Sequence, residues 1–589
     1  MPATGLSAAA IALLKQDSLI VSPDSNALLV ATAHDVLEDW AILQWIEEQH
    51  LTDETAFKAL SSAIGPHPAV RRSYRKWVAE LVDRDAPTAD RLFSGAIALA
   101  DVPAQFRDDT LVSLLKAPSA SEFLTRHEAE LLANDRAILK RVIHLLRVAC
   151  VTSPAWLADV RGHSSILSVP EGAVWATVVR LVHRNIGSFG PEDAPLLLAL
   201  IEDAVRGVSW WLPDIDGAEH VAGIAHWLLP RFDHYRGGDT RQRILKVIAK
   251  IPKADPARFE AVLRGQIKEG RRRDPVAEEF RDILLASLDG APAARDLPDL
   301  LISVALDTFL ATEEYLRAEP YGRSSIDVDL YFGIKEHLRH DFFPASAFRG
   351  PWINLLTHHP KKGLDFLIQV FNHSAEWYAH PRLHDRLEPA WEVELTFANG
   401  TTRMQWVNPR LWGLYRGMTV GPYSLQSLLM AFERWLLDYA KTHPEGLDAV
   451  LLEILQRSDS AALAAVVASV ATAHPHRSGE ALLVLLSVQD YIEIDRSRMA
   501  SEHQTSSLTG LFPTLRAENK IYEEERKKSN ALPHRKHDLE AAIANLQLGP
   551  LAPRVHAIID RYIAALPAPD KRNEHDLTWQ LALHRMDLR

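Results

Sequence analysis

Histidines crowd the stretch from residue 358 to residue 385 and are the side chains best suited to metal chemistry. They are His358, His359, His373, His380 and His384, with Asp385 beside the last. Neutral imidazoles near a carboxylate can hold zinc or manganese, and His380 and His384 would share one face of a helix. Pro381 argues against a regular helix there, because proline pushes the preceding residue out of the α region. We therefore keep a metal-dependent hydrolase with ligands His380, His384 and Asp385 as an alternative, and expect packing and helix-end contacts for most of these histidines.

The sequence lacks the motifs of several large enzyme classes. It contains no G-x-x-x-x-G-K-[ST] string, whose backbone amides and lysine hold nucleotide phosphates. It also contains no H-E-x-x-H pair of zinc ligands and no G-x-S-x-G elbow for a nucleophilic serine. We therefore expect a non-catalytic chain that carries no cofactor.

A second group of residues, rich in tryptophan, tyrosine and arginine, has the composition of a protein-binding surface. The group comprises Trp377, Tyr378, Arg382, Arg403, Trp406, Arg410, Trp412, Tyr415 and Arg416. The same residue types also fill the core where a helix meets a β-hairpin, with arginines stacked on aromatic rings. The sequence leaves both roles open and predicts a partner-binding site in this region.

One segment within this region departs from helical patterning. In WEVELTFANGTTRMQWV, residues 391–407, apolar and polar residues alternate on both sides of Asn399 and Gly400. The arms carry Val393, Leu395 and Phe397, and then Thr402, Met404 and Trp406. An Asn-Gly pair supplies the positive φ angles of a tight hairpin turn. We expect one β-hairpin, which packs against neighbouring helices or a partner because an isolated hairpin is marginal in water.

A recurring joint organises the rest of the sequence. It occurs as THHPKKGLDF, THPEGLDAV and AHPHRSGEAL, with Pro360, Pro444 and Pro475 as the shared prolines. Each His-Pro step is predicted to end one helix, and the residues after the following glycine to begin another. The interval from Pro444 to Pro475 fits a two-helix repeat. The sequence thus predicts an all-α fold, an α-solenoid of HEAT-like or TPR-like helical pairs with one inserted β-hairpin.

Local composition divides the chain into three predicted segments. Residues 1–300 show one helical pattern after another and form an N-terminal helical-repeat array. Residues 301–420 are dense in aromatic residues, histidines and arginines and contain the hairpin. Residues 421–589 return to helical repeats and include a densely charged run at 523–528, which is typical of a solvated helix or of a docking strip.

The overall composition gives no indication of a membrane span or of a nucleic-acid-binding surface. The chain of 589 residues is 47% apolar and 24% charged, and its formal net charge of −12 argues against nucleic acid as a partner. The longest weakly polar stretch, from Ala461, is too short to cross a bilayer. The single cysteine, Cys150, continues the helical spacing of Leu139, Ile143 and Leu146 and is expected to face the core. These features favour a soluble, cytoplasmic protein.

The C-terminal part of the chain resembles a known family. Residues 320–589, especially GPYSLQSLLMAFERWLLDYAK, GEALLVLLSVQDYIEIDRSRM and ENKIYEEERKKSNALPHRKHDLE, resemble the helical-repeat sensor region of bacterial anti-phage STAND NTPases. The resemblance implies a module of antiviral defence that recognises a phage protein or a subunit of a defence complex. This chain lacks the family's P-loop and a recognisable effector, so it would be a sensor fragment or a separate subunit. A scaffold subunit of a larger complex is a further alternative, and oligomerisation stays open.

Overall fold

The computed structural model divides the chain into two compact units. The N-terminal unit comprises Met1–Val208 and Leu212–Val247, and the C-terminal unit comprises Ser209–Trp211 and Ile248–Arg589. The structure describes residues 7–22, 31–32, 35–48, 54–65, 68–98, 102–153, 168–208, 214–232, 238–265, 274–318, 328–335, 342–382, 388–505 and 517–589. Residue 300, a predicted segment boundary, lies inside the helix Pro298–Phe309. The three-segment division itself stays a prediction.

Helices make up most of the described part of the N-terminal unit. They are α1 (Ala8–Gln16), α2 (Asp35–Glu47), α3 (Glu54–Ile64), α4 (Pro68–Arg84), α5 (Ala86–Ala98), α6 (Ala104–Lys116), α7 (Ala120–Arg126), α8 (Glu128–Ala149), α9 (Val174–Arg184), α10 (Ala194–Ala204), α11 (Ala218–Leu228) and α12 (Gly238–Lys250), whose last turn belongs to the C-terminal unit. Two short antiparallel pairs join β1 (Ile20–Val21) to β2 (Ala31–Thr32) and β3 (Val151–Thr152) to β4 (Val169–Pro170). Helix α4 packs against α2 and α6, and α6 packs in turn against α8. This next-but-one packing is typical of stacked helical pairs.

The C-terminal unit continues the helical pattern and adds one β-hairpin. Its elements are α13 (Pro256–Arg264), α14 (Pro275–Ala286), α15 (Ala291–Asp296), α16 (Pro298–Phe309), α17 (Glu313–Ala318), α18 (Val328–Tyr331), α19 (Trp352–His358), α20 (Pro360–Ala379), β5 (Trp391–Thr396), β6 (Thr402–Val407), α21 (Pro409–Gly413), α22 (Tyr423–Thr442), α23 (Leu447–Arg457), α24 (Ala461–Ala473), α25 (Gly479–Leu486), α26 (Gln489–Thr505), α27 (Ala517–Asn530), α28 (Leu539–Leu546), α29 (Ala552–Ala565) and α30 (Glu574–Met586). Helix α22 packs against α19 and α24, and α28 packs against α26 and α30. The predicted all-α helical-repeat fold with a small inserted hairpin is confirmed.

The three His-Pro joints share one backbone conformation. His359, His443 and His474 each follow the last residue of a helix, with φ of −137°, −133° and −134° and ψ of 64°, 60° and 55°. A short 3₁₀ turn follows the second and third joints before the next helix begins. Helix α20 instead begins directly at Pro360, so the expectation that each new helix starts after the glycine is wrong at the first joint. Proline is well suited to the first helical position because it has no N–H to leave unpaired.

The predicted hairpin is present at 391–407. Strands β5 and β6 pair antiparallel from Trp391 opposite Val407 to Thr396 opposite Thr402. Gly400 has φ of +81°, but Asn399 is not in the left-handed region, so the expectation of two positive φ angles is wrong. The amide of Gly400 donates to the carbonyl of Phe397 at 2.9 Å. The loop is therefore a three-residue connection in which only its last residue must be left-handed.

One face of the hairpin is buried against helices of the same unit. Val393, Leu395 and Phe397 are buried, and the inward positions of β6 are Gln405 and Val407. The backbone amide of Trp406 donates to the carbonyl of Asp459 at 2.8 Å, which ties β6 to the turn before α24. The hairpin is thus held by neighbouring helices, as its marginal stability in isolation requires.

A strongly apolar helix of the unit, α24, is a core helix. Every residue from Ala461 to Ala471 is buried, and the helix packs against α21, α22, α23 and α25. Burial on all sides accounts for its lack of a polar face. Among the described residues no helix combines the length and the apolar character needed to span a bilayer.

Candidate protein-binding site

Five of the nine residues predicted to bind a partner lie inside the C-terminal unit. They are Trp377, Tyr378, Trp412, Tyr415 and Arg416, and none exposes more than 6% of its surface. Their burial indicates that these five side chains pack in the core. Core packing is one of the two roles that the sequence left open, the other being contact with a partner. Direct contact with a partner is left to the other four residues of the set.

The buried aromatic residues connect the segment after the hairpin to α26. The indole Nε1 of Trp412 donates to Asp495 Oδ1 at 3.0 Å, and the Trp412 ring lies 4.8 Å from the ring of Tyr491. Burial raises the pKa of both Tyr415 and Tyr491 well above the ordinary value, so both phenols stay protonated. These contacts fix the position of α21 on α26.

A buried network of ionised side chains continues from Arg416 into α26. The Nε of Arg416 donates to Glu502 Oε1, and its Nη2 donates to Asn530 Oδ1 at 3.2 Å. Arg498 lies between two carboxylates of α26, with its Nε 2.7 Å from Asp495 Oδ1 and its Nη1 3.1 Å from Glu502 Oε1. The charges of Arg416 and Arg498 are therefore matched within the protein, as buried charges must be.

Two of the remaining arginines are also paired with carboxylates. Arg382 donates to Glu313 Oε1 at 3.0 Å and to Glu376 Oε1 at 3.2 Å, and its guanidinium lies 4.7 Å from the centre of the Trp377 ring. Arg403 forms an ion pair with Asp459. Their positive charges are already neutralised at the surface, which leaves little to attract a partner.

Arg410 differs from the other arginines of the set. Its Nη1 donates to the carbonyl of Val420 at 3.1 Å. Among the described residues its Nε has no hydrogen-bond partner, and no carboxylate forms an ion pair with it. Arg410 lies beside the hydroxyl of Tyr378, whose pKa is raised by burial and lowered in part by Arg410. A guanidinium has five N–H donors, and the buried Nε–H of Arg410 is one that has no acceptor among the described residues.

Arg410 lines an open cleft of about 360 Å³, which we call the Arg410 cleft. Its walls are Glu388, residues of the segment from 409 to 420, and one face of α26, including Ile494 and Ser497. Met418 and Val420 form an apolar rim and expose 37% and 59% of their surfaces. The cleft thus combines Arg410, which has no ion-pair partner among the described residues, with the carboxylate of Glu388 and accessible apolar surface, a mixture typical of a binding pocket.

The histidines of the hydrolase alternative do not form a metal site in the described part of the chain. No group of three His, Cys, Asp or Glu side chains among the described residues is placed to hold a metal ion. His373 is largely buried, and burial lowers its pKa. His380 packs edge-on against Trp406, with ring centroids 5.1 Å apart. His384 and Asp385 lie outside the described residues, so the ligand set of that alternative is not complete in the structure.

Sequence reasoning missed the charged residues of α26 beside the cleft, of which Arg498 lines it. Asp495, Arg498 and Glu502 recur at intervals of three and four residues, which places them on one helical face. Tyr491 and Ile494 flank them and are buried. The available signal for the burial of these charges was their position next to apolar residues on the helix. Charged residues on a fully solvated face do not require such apolar neighbours.

Comparison with known proteins gives a partial similarity. No family model matches the chain. A stretch of 197 residues is 28% identical to RecBCD enzyme subunit RecB of Mycobacterium tuberculosis, with the same figures in strains CDC 1551 / Oshkosh and ATCC 25618 / H37Rv. The match covers 33% of this chain and 17% of RecB, so the chain spans about a sixth of the length of the curated relatives it matches.

Proposed function

We propose that this chain is a non-catalytic helical-repeat module that binds another protein at the Arg410 cleft. The observation that carries the proposal is the Arg410 guanidinium, which lines an open cleft and has no carboxylate partner among the described residues. A partner could place an acidic side chain against Arg410 and an apolar side chain against Met418 and Val420. A charge-assisted hydrogen bond beside buried apolar area provides both affinity and orientation.

We further propose that the module is the sensor part of a bacterial anti-phage STAND NTPase. In that role it works in the cytoplasm and recognises a phage protein or a subunit of a defence complex. Support comes from the resemblance of residues 320–589 to the sensor region of that family. Stacked helical pairs also provide the extended surfaces on which such recognition occurs.

Affinity capture from phage-infected cells tests the proposal with three baits: the wild type, Arg410→Glu and Arg561→Glu. Arg561 is the matched control, because its guanidinium also donates to a single backbone carbonyl, that of Ser487 at 2.8 Å, and it lies outside the cleft. We expect one protein to be enriched by the wild type and by Arg561→Glu. Its recovery with Arg410→Glu should fall at least about tenfold, since a charge-assisted contact of this kind contributes more than about 1.4 kcal/mol.

Two results would count against this proposal in different ways. Equal capture by all three baits would show that the partner binds elsewhere on the chain. No specific capture by the wild-type bait would remove the protein-binding function itself.

A second candidate function is that of a structural subunit within a larger complex. The observation in its favour is the partial match to a protein named as a subunit of the RecBCD enzyme. Purification of the tagged chain from uninfected cells separates the two candidates. Constant co-elution with other subunits before infection favours the scaffold, whereas a partner that is gained only after infection favours the sensor.

A further inference from the structure

The hairpin of β5 and β6 has one covered edge and one open edge. Its sheet contains two strands, and β6 is the single neighbour of β5 among the described residues. The outer edge of β6 is covered, since the amide of Trp406 donates to the carbonyl of Asp459. No described residue forms a backbone hydrogen bond of this kind along the outer edge of β5. That edge is therefore available for pairing with a further strand.

The register shows which backbone groups form the open edge. The amide of Phe397 donates to the carbonyl of Thr401 at 2.9 Å, so it points toward β6. Successive amides along a strand point to opposite edges, so those of Glu392, Glu394 and Thr396 point away from β6. These three amides have no hydrogen-bond acceptor in the described part of the chain, and all three residues are exposed.

Strand β5 is held in place without the use of this edge. The indole Nε1 of Trp391 donates to Asp490 Oδ1 at 2.8 Å, which fixes the start of the strand on α26. The side chains of Val393 and Leu395 are buried, and β5 packs against α25. A strand that pairs with β5 would thus meet a preformed edge and would not have to order it first.

The outer face of β5 carries two negative charges. Glu392 and Glu394 lie opposite Trp406 and Met404 of β6, which are uncharged. Neither glutamate forms an ion pair with a described residue. In a sheet, like charges at facing positions destabilise the pairing of two strands and opposite charges stabilise it. The two glutamates therefore disfavour an acidic strand at this edge and favour one with Lys or Arg at the facing positions.

We propose that the open edge of β5 binds an extended segment of a partner protein in which basic and apolar residues alternate. Its basic side chains face Glu392 and Glu394, and its apolar side chains lie on the side of Val393 and Leu395. Backbone hydrogen bonds to β5 provide affinity, and the alternating side chains provide specificity. The Arg410 cleft is lined by other residues, so this interface does not depend on the function proposed for the cleft.

Two synthetic peptides and the full wild-type chain provide the direct test. The first peptide, Thr-Lys-Val-Lys-Val-Lys-Thr with blocked ends and a fluorophore, should bind with a Kd below about 1 mM at low ionic strength. The second has N-methyl groups on its three lysine amides, so it keeps every charge but cannot donate from these positions to β5. Fluorescence anisotropy should show at least about tenfold weaker binding of the second peptide. Equal binding of both peptides, or no binding of the first, would overturn the proposal.

A pair of double variants tests whether the first peptide binds at this edge. Glu392→Lys combined with Glu394→Lys reverses both charges, so we expect binding to weaken at least about tenfold. Glu445→Lys combined with Glu524→Lys is the matched control, because it changes the net charge equally at exposed residues outside the hairpin. Unchanged binding by the hairpin variant, or an equal loss in both variants, would refute binding at β5. The comparison of the two peptides uses the wild type and stands even if a variant fails to fold.

Discussion

Glu525 is a carboxylate held almost entirely away from water, with 5% of its surface exposed. Its Oε2 accepts from the hydroxyl of Ser346 at 2.6 Å and from the amide of Ala347 at 3.1 Å. Burial nevertheless raises the pKa of Glu525 above its ordinary value of 4.5, and the two hydrogen bonds offset only part of this effect. Ionisation of Glu525 therefore costs the folded state free energy.

The first prediction concerns the pH dependence of stability. A group whose pKa is higher in the folded state than in the unfolded state contributes stability that is fully present below the unfolded-state pKa. That contribution is lost as the pH rises through the folded-state pKa. Glutamine keeps an acceptor for Ser346 and carries no charge, so the urea midpoint of Glu525→Gln relative to the wild type should rise between pH 5 and pH 8. Glu524→Gln is the matched control, because Glu524 is exposed, and its difference from the wild type should not change with pH. A pH-independent difference for Glu525→Gln would refute this account.

Cys150 carries the second prediction. The thiol is 3% exposed at the end of α8, as the apolar spacing indicated, and burial raises its pKa to about 11. At pH 8 only about one thiol in a thousand is ionised, so reaction with iodoacetamide should be at least about 100-fold slower than for an ordinary exposed cysteine. Mass spectrometry should find no labelling in the folded protein and complete labelling in urea.

A control for Cys150 comes from the same unit. Ser62 is exposed on α3, and Ser62→Cys should be labelled within minutes under the same conditions. Rapid labelling of the native wild type would mean that the end of α8 opens readily. In that case the sequence-based assignment of Cys150 to the core would be wrong.

Single residues show where sequence reasoning succeeds and where it fails. Cys150 could be placed because apolar spacing along one helix needs only local information. Glu525 could not be placed, because the charged run 523–528 is typical of a solvated helix, and its burial depends on Ser346, far away in the sequence. The lack of an ion-pair partner for Arg410 could not be predicted for the same reason, because it depends on which side chains the fold brings together.

At the scale of elements, the loop of the hairpin depends on the left-handed backbone conformation of one glycine, Gly400. Gly400 has φ of +81° and no atom within 4 Å of an added Cβ, so alanine there would meet backbone strain alone. Gly187 is the matched position, because an added Cβ is equally unobstructed and its φ is not positive. The two glycines thus differ in backbone conformation and not in packing.

The third prediction compares these two glycines. Gly400→Ala should lower the free energy of unfolding by about 1–2 kcal/mol, the cost of left-handed backbone for a residue with a Cβ. Gly187→Ala should be neutral or slightly stabilising, since it reduces the entropy of the unfolded chain. Urea titrations followed by circular dichroism measure both. Equal effects of the two substitutions would exclude backbone strain as the cause.

The position of the hairpin could be predicted from its alternation, but the way it is anchored could not. Gln405 is 1% exposed, and its Nε2 donates to the carbonyls of Leu455 at 3.2 Å and Ser458 at 3.0 Å. The hydroxyl of Tyr491 donates to its Oε1. In a sequence pattern a polar residue such as Gln405 is assigned to the solvent-facing side of a strand. Its burial could not be predicted, because its hydrogen-bond partners come from α23, the following turn and α26.

At the scale of the whole molecule, the helical-repeat class could be predicted because it depends on local breaks, such as the three His-Pro joints. The boundaries between compact units depend on which helices touch, and the sequence contains no direct signal for that. Contacts cross residue 420 in several places. Trp412 binds Asp495 at 3.0 Å, Ser346 binds Glu525 at 2.6 Å, and α22 packs against α19.

The last prediction separates the two ways of dividing the chain. Fragment 238–589 begins at the start of α12 and contains the whole C-terminal unit from Ile248 onward, so we expect strong helical circular dichroism and one cooperative urea transition.

Fragment 421–589, the predicted third segment, loses α19, α21 and the hairpin. Its α22 would then expose an apolar face that is buried in the full chain, and Asp495 and Glu525 would lose their partners Trp412 and Ser346. We expect this fragment to aggregate or to unfold without a cooperative transition. A cooperative transition in fragment 421–589 would restore the boundary at residue 420 and show that the contacts across it contribute little to stability.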